Sequence, residues 1–318
     1  MSEDTGPLAV EQAAVDPNAQ RFGFVSVVGA PNAGKSTLVN AMIGSKVSIV
    51  SPKVQTTRTR VTGILAEDQT QIVFVDTPGI FLGAKRKLEK AMVRAAWTGA
   101  EEGEVVLFVV DASRSKLSDD ATAVLTGLKK LPNAAKVWLV LNKVDAAQKD
   151  RLLALSAQLH ESHDFDQTFM ISALKESGTD DLRETLKQLM PAGGWMYPED
   201  TVTDVSNRLL CAEITREKLF LALNQELPYQ LTVETEGFEV NPKDGSIKIN
   251  QVIFVARSGH KGIILGKGGG NLKRIGTQSR KDLEELFERR VHLFLFIKVR
   301  ENWLNDPERY REMGLDLG

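Results

Sequence analysis

One cysteine, Cys211, stands alone in 318 residues, so no internal disulfide can form. That suits a reducing cytoplasm, as it suits many other compartments. The four histidines and this cysteine fall at no metal-ligand spacing, which argues against a zinc site. Long hydrophobic runs are missing as well. Runs such as 105–110 are far short of the roughly 20 residues that span a bilayer, and they read as buried strands. The first twenty residues contain no Lys or Arg, only the charges of Glu3, Asp4, Glu11 and Asp16. With no basic start and no apolar stretch, this segment is neither a secretory signal nor a transit peptide. Its Ala, Gly, Pro and acid content predicts a disordered tail over 1–20. Nor is there an excess of charge. The net value is −2, so any nucleic-acid site must be a local basic patch.

What is present is an ordinary globular balance, 42% apolar and 26% charged, at a length that fits about two domains of roughly 150 residues. Short apolar runs at 24–28, 72–75, 105–110, 137–141 and 169–171 read as strands. Amphipathic stretches at 88–100, 120–130, 148–160 and 180–189 read as helices. The alternation predicts an α/β domain over 21–192, a mostly parallel sheet with helices on both faces. Ligands of such sheets bind at the carboxyl ends of the strands. Pro191, Gly193, Gly194 and Pro198 then break the pattern and mark a linker at 193–204. A smaller α+β domain follows over 205–304: a helix at 205–223, a hairpin of strands 230–240 and 246–256, a Gly-rich stretch, a helix at 272–288 and a strand at 291–299. Residues 305–318 are expected to be a C-terminal tail.

The chemistry-bearing motifs fall at expected strand ends. Gly29, Ala30, Pro31, Asn32, Ala33, Gly34, Lys35 and Ser36, followed by Thr37, match G-x4-G-K-[ST] between a strand and a helix. Chance gives such a match about 0.02 times per chain of this composition. The glycines let backbone N–H groups curl around phosphates, and the helix N-terminus adds positive potential. Lys35 is expected to reach the β- and γ-phosphates, and the Ser36 hydroxyl to ligate magnesium. Asp76-Thr-Pro-Gly79 ends the next strand. Asp76 would face the magnesium and the Gly79 N–H the γ-phosphate. A threonine between these motifs, Thr57 in preference to Thr56, would close over the γ-phosphate and complete the metal site.

Base choice falls to Asn142-Lys143-Val144-Asp145. A carboxylate at Asp145 can accept from the N1–H and 2-amino group of guanine. Adenine would leave that charge unpaired, a penalty that discriminates about 10⁴-fold or more. Ser172 and Ala173 are expected to bring a backbone N–H near guanine O6. The motif order resembles the translation-factor-like GTPases. One position departs from the Ras-type pattern. The residue after D-x-x-G, commonly a water-orienting glutamine, is Ile80. Some GTPases with an apolar residue there use a P-loop asparagine and a monovalent cation. Asn32 is at the matching position, so hydrolysis is expected to be slow and raised by K+, with Lys35, Thr57 and Asn32 as the catalytic set.

The second domain carries Gly266-Lys267-Gly268-Gly269, the G-x-x-G spacing of a KH-type RNA clamp. Alone, that spacing is common. Its surroundings strengthen it: residues 257–300 hold eleven Lys and Arg against four Asp and Glu, a local basic module in a near-neutral chain. Lys273, Arg274 and Arg280 join the glycine loop as expected RNA contacts. Together with Gln55-Thr-Thr-Arg58, Tyr197-Pro-Glu-Asp200, Glu213-Ile-x-Arg216-Glu-Lys218, Glu226-Leu-Pro-Tyr229 and Arg280-Lys-Asp282, the motifs resemble the Era GTPases over about residues 22–304. The resemblance implies a P-loop NTPase domain followed by a type II KH domain. It also implies GTP/GDP and Mg2+ as ligands, binding to the 3′ end of small-subunit ribosomal RNA and a role in 30S assembly. A cytoplasmic monomer with peripheral inner-membrane association belongs to the same expectation. Two other readings stand beside it: an RNA-modifying GTPase, which would need a nucleophile such as Cys211, and an RNA-binding protein with a vestigial GTPase.

Overall fold

The near-continuous apolar runs form a six-stranded sheet in the order β2-β3-β1-β4-β5-β6. A computed structural model describes residues 19–301 and 303, except 55, 84–86, 102, 115 and 133–134. Most of the tail expected at 1–20, the one expected at 305–318, and Gln55 lie outside the described residues. The strands are β1 (Arg21–Val28), β2 (Val61–Glu67), β3 (Thr70–Asp76), β4 (Val105–Asp111), β5 (Lys136–Asn142) and β6 (Gln167–Met170). All neighbours pair in parallel except β2 and β3. Residues such as Leu107 and Val109 point to one face, and Phe108 and Val110 to the other, the two-residue alternation of a strand. Helices cover both faces. On one side α1 (Lys35–Ile43) and α5 (Thr179–Leu189) bury Leu38, Met42, Leu182 and Leu186. On the other, α2 (Lys87–Glu101), α3 (Asp119–Leu128) and α4 (Lys149–Ser162) bury Ala96, Val124 and Leu159. The strand β2 was not expected from sequence. Gly63 interrupts its apolar pattern, but a Cβ there would lie 3.0 Å from the Ile43 side chain, so glycine is what lets α1 approach.

Beyond the sheet the chain runs along β2 and β3 through the stretch expected as a linker. The Gln71 side chain accepts from the Tyr197 N–H (3.0 Å) and donates to the Tyr197 carbonyl (2.8 Å), and the Ile64 N–H donates to Val202 O (2.9 Å). The last of these occupies the free edge of β2. The second unit begins with α6 (Asn207–Ala222), capped where the Ser206 hydroxyl accepts from the Leu209 N–H (3.3 Å). Strands β7 (Leu231–Val240), β8 (Ile247–Val255) and β9 (Val291–Val299) form a sheet in that order, β7 antiparallel and β9 parallel to β8. The parallel pair requires a crossover, supplied by α7 (Ser258–Leu265) and α8 (Gly270–Phe287). Leu219, Ile253, Ile264 and Ile275 close one core cluster here, and Leu210, Cys211, Ile249 and Leu283 another.

Candidate nucleotide and RNA sites

The sheet order reverses at β1, with β3 on one side and β4 on the other. The crevice at such a reversal is where α/β folds take ligands, and the loop 29–34 lies there. Gly34 precedes α1 at φ 97°, and a Cβ on it would meet the Asn142 amide at 2.2 Å. No side chain caps α1 and its first turn carries no acid, so its leading N–H groups remain available to an anion. Gly79 approaches Pro31 so closely that a Cβ would sit 2.9 Å from its Cα. The Ile80 N–H donates to Gly29 O at 3.2 Å. The DTPG loop is thereby locked to the phosphate loop.

Four oxygen-bearing side chains converge at this point. The Asp76 carboxylate accepts from Ser36 Oγ (2.6 Å), Ser48 Oγ (2.9 Å) and Thr57 Oγ1 (3.4 Å), and Ser36 Oγ lies 2.8 Å from Thr57 Oγ1. Thr56 turns the other way, toward Ser51 Oγ and Lys53 O. Asp76 is fully buried, and its second oxygen Oδ1 has no hydrogen-bond partner. Burial raises the Asp76 carboxyl, against the charge of Lys35 and the three hydroxyls. Lys35, also buried, donates to Gly29 O and Ala30 O (both 3.1 Å). Desolvation pulls its ammonium down to about 8, with Asp76 opposing. An orphaned carboxylate oxygen among hydroxyls and an under-compensated ammonium suit one small hard cation beside a phosphate. Among the described residues no group of three or more His, Cys, Asp or Glu is placed to hold a metal ion. Magnesium held by one carboxylate, hydroxyls and phosphate oxygens needs no such cluster. Ser48 was not anticipated, because a lone serine in a loop carries no sequence signal.

At the neighbouring strand ends, Asn142 is buried and works as a tie. Its amide donates to Ala33 O (2.9 Å), and its oxygen accepts from the N–H groups of Lys143 (2.8 Å) and Ala173 (3.0 Å). Lys143 Nζ donates to Asn32 O and to Asp111 Oδ2, both at 2.7 Å. Burial alone would raise the Asp111 carboxyl, but bonds from Lys143 and Ser113 outweigh it and hold it low. Asp145 is exposed at the rim of this group, open to a base. Ser172 and Ala173, expected near the guanine, follow β6 beside Asn142. Both lie at the site, but their N–H groups are taken, Ser172 by Ser177 O (2.9 Å) and Ala173 by Asn142. In this conformation the Ala173 N–H holds the Asn142 side chain.

In the second unit Gly266, Gly268 and Gly269 have φ of 69°, 59° and 76°, a left-handed run that only glycine adopts readily. It turns the chain between α7 and α8. Lys267 is exposed in it, and Lys273, Arg274 and Arg280 are exposed along α8 beyond it, where a phosphate can reach them.

Two family models match, one described as a 50S ribosome-binding GTPase over residues 24–143 and one as a KH domain over 226–304. The GTPase Era of Brucella suis is 52% identical over 317 residues, covering 100% of this chain and 99% of the relative. That of Bradyrhizobium diazoefficiens is 51% identical, covering 98% and 99%. The crystal structure of Aquifex aeolicus Era bound to GDP·AlF4⁻ superposes with a TM-score of 0.86 at 37% identity, covering 93% of this chain and 99% of the other. The chain belongs to the Era GTPase family.

As an Era GTPase it has a P-loop GTPase domain followed by a KH domain. Two of its residues bear on how an Era GTPase can work. Ile80 is buried with Val28, Ala96 and Phe108. Its side chain belongs to the core and cannot orient water. Cys211 is fully buried in α6, and burial pushes its thiol up to about 12. It cannot serve as the nucleophile that an RNA-modifying Era relative would need.

Proposed function

We propose that this Era GTPase binds GTP with Mg2+ at the 29–37 loop, hydrolyses it slowly, and uses the nucleotide state to gate binding of small-subunit ribosomal RNA near its 3′ end during 30S assembly in the cytoplasm. The observation that carries the nucleotide half is the orphaned Asp76 Oδ1 amid the hydroxyls of Ser36, Ser48 and Thr57. The metal, when bound, neutralises charge on the phosphate oxygens. Ser36 and Thr57 would hold it, with the Asp76 carboxylate facing it. Lys35 binds the phosphates, and Gly79 offers its N–H on the γ side. Asn32 lines the cavity with Lys35, Ser36 and Thr57, where its amide oxygen can hold a monovalent cation.

The RNA half rests on the exposed glycine turn and its four basic neighbours. It is supported by an Era structure in complex with MgGDPNP and nucleotides 1506–1542 of 16S ribosomal RNA, 37% identical to this chain with a TM-score of 0.86. Lys267, with Gly266, Gly268 and Gly269, clamps the RNA backbone, and Lys273, Arg274 and Arg280 neutralise phosphates along α8. The vestigial reading loses ground, because Lys35, Ser36, Thr57 and Asp76 are all present and lie together. Asp145 supplies the test. Asp145→Asn should lose GTP affinity by about 10⁴-fold and gain xanthosine triphosphate, measured by competition binding. Unchanged preference for GTP would refute the assignment.

A further inference from the structure

Several residues that mark the family resemblance belong to neither binding site: Arg58, Glu213, Arg216, Lys218, Pro228 and Asp282. In the structure they meet at the junction of the two domains. Arg58 leaves the loop beside Thr57 and enters the KH domain, where Nη1 donates to Leu231 O (2.8 Å) and Nη2 to Pro228 O (3.2 Å). In the opposite direction Arg216 leaves α6 and donates to the Thr56 carbonyl. The two guanidinium carbons lie 5.5 and 5.0 Å from the centroid of one ring, Phe220. Both arginines are 1% exposed. Glu213 aims Arg216 through its Nε (2.7 Å) and Nη2.

We propose that Arg58 and Arg216 are positioning residues for GTP hydrolysis: they bolt residues 56–58 to the KH domain and so set where Thr57 stands in the nucleotide site. The inference rests on Thr57 being the threonine that responds to the γ-phosphate and metal. It occupies the middle of the bolted stretch. One neighbour's carbonyl and the other's side chain are held by the KH domain, while its own hydroxyl faces Ser36 and Asp76. Two buried guanidinium groups sharing one carboxylate are a poor device for stability alone. Burial, and then the charge of Arg216, pushes the Arg58 guanidinium down, although an arginine remains charged at neutral pH. Arg58 Nε and Arg216 Nη1 have no hydrogen-bond partner. What such a pair supplies is directional fastening.

The fastening continues to the RNA clamp. Glu217, next in α6, accepts from the Val50 N–H (2.9 Å) and from Lys46 Nζ (2.7 Å). Lys46 also reaches Asp282 (3.1 Å), and Lys218 pairs with the same carboxylate. Asp282 is on α8, the helix that starts at the glycine turn. Lys53 donates to the carbonyls of Phe220 and Leu223 at the end of α6. The loop from 46 to 58 is therefore held by α6 at five points, and α6 is held to α8. A cleft of about 400 Å³ lined by Arg58, Thr59, Arg216 and Glu234 lies alongside, leaving space for this contact to take a second arrangement. Coupling between binding sites is reciprocal, so RNA on α8 and a γ-phosphate beside Thr57 must each alter the affinity for the other.

The test compares Arg58→Lys, Arg216→Lys and Thr57→Ala in the full chain, measuring affinity for GDP and for a non-hydrolysable GTP analogue with Mg2+. Lysine keeps the charge but loses the fork. Each lysine variant should weaken the GTP analogue about 10-fold, within the usual range of site coupling, and leave GDP unchanged. Adding Arg216→Lys to Thr57→Ala should weaken it no further. If a lysine variant is poorly folded by circular dichroism, Lys53→Ala replaces it, with a smaller loss in the same direction. Lysine variants that keep the GTP-to-GDP ratio while Thr57→Ala loses it would overturn the bolt and spare the site. A lysine variant that loses GTP and GDP alike would also overturn it, as a merely structural role. A ratio unmoved by Thr57→Ala would instead sink the reading of the site on which the bolt depends.

Discussion

Asn32 takes φ 63°, a left-handed conformation that asparagine tolerates better than most side chains. Its amide nitrogen donates to Pro52 O at 2.8 Å, which ties the phosphate loop to the loop that carries Thr57. With Ile80 committed to the core, no glutamine follows D-x-x-G to place the attacking water, and a cation held at Asn32 would supply the extra positive potential. Turnover should therefore rise in K+ over Na+ at equal ionic strength, and Asn32→Ala should abolish the difference, as followed by phosphate release. Equal rates in the two salts would remove the cation from the account. The meeting of Lys35, Ser36 and Asp76 was legible in the sequence because phosphate-binding loops use short motifs with fixed spacing. Ser48 and the bolt of Arg58 and Arg216 were not. Arg58 meets Pro228 and Leu231 some 170 positions away, and no local pattern encodes a partner at that range. The bond from the Ala173 N–H to Asn142 was hidden for the same reason. The motif places its N–H at the site, but only the fold shows that Asn142 claims it.

The parallel strands were legible because burial on both faces makes them continuous apolar runs. The edge strand β2 was not, because Gly63 breaks its apolar pattern and it ends in partly exposed residues. In the KH domain the turn between β7 and β8 closes as expected, with the Asn241 N–H on Ser246 O (2.8 Å) and the Gly245 N–H on Asn241 O (2.9 Å). Helix α8 has a mixed surface. Lys273 is exposed, whereas Arg280 is half-exposed and 3.9 Å from Glu284. At that distance and exposure the pair contributes little to stability, so Arg280 can exchange Glu284 for a phosphate. Lys273→Ala and Arg280→Ala should each weaken binding of a single-stranded RNA matching the 3′ end. Each should also lower the slope of log affinity against log salt by about 0.7, the value for one phosphate contact on a single strand. A slope unchanged in both variants would place the RNA elsewhere.

At the scale of the whole molecule, two domains with separate cores are joined through buried charge. Such a junction moves as a unit or lets go, since removing one partner leaves a costly uncompensated group. The physical consequence is a nucleotide response that does not stop at the nucleotide site. Hydrogen exchange on the full chain should register it. A non-hydrolysable GTP analogue with Mg2+ should slow exchange at 46–58 and, with it, at α6 and the first turns of α8, whereas GDP should protect only the 29–37 loop and α1. Arg216→Lys should separate the two responses, retaining protection at 29–37 and losing it in α6. The KH core itself, around Ile253 and Ile275, should be indifferent to nucleotide, because its packing does not change when the bolt does. Protection confined to the GTPase domain with either nucleotide would mean that the two domains communicate by tethering alone. Slowing throughout the KH core would mean that the nucleotide stabilises that domain as a whole and does not act through one arginine contact.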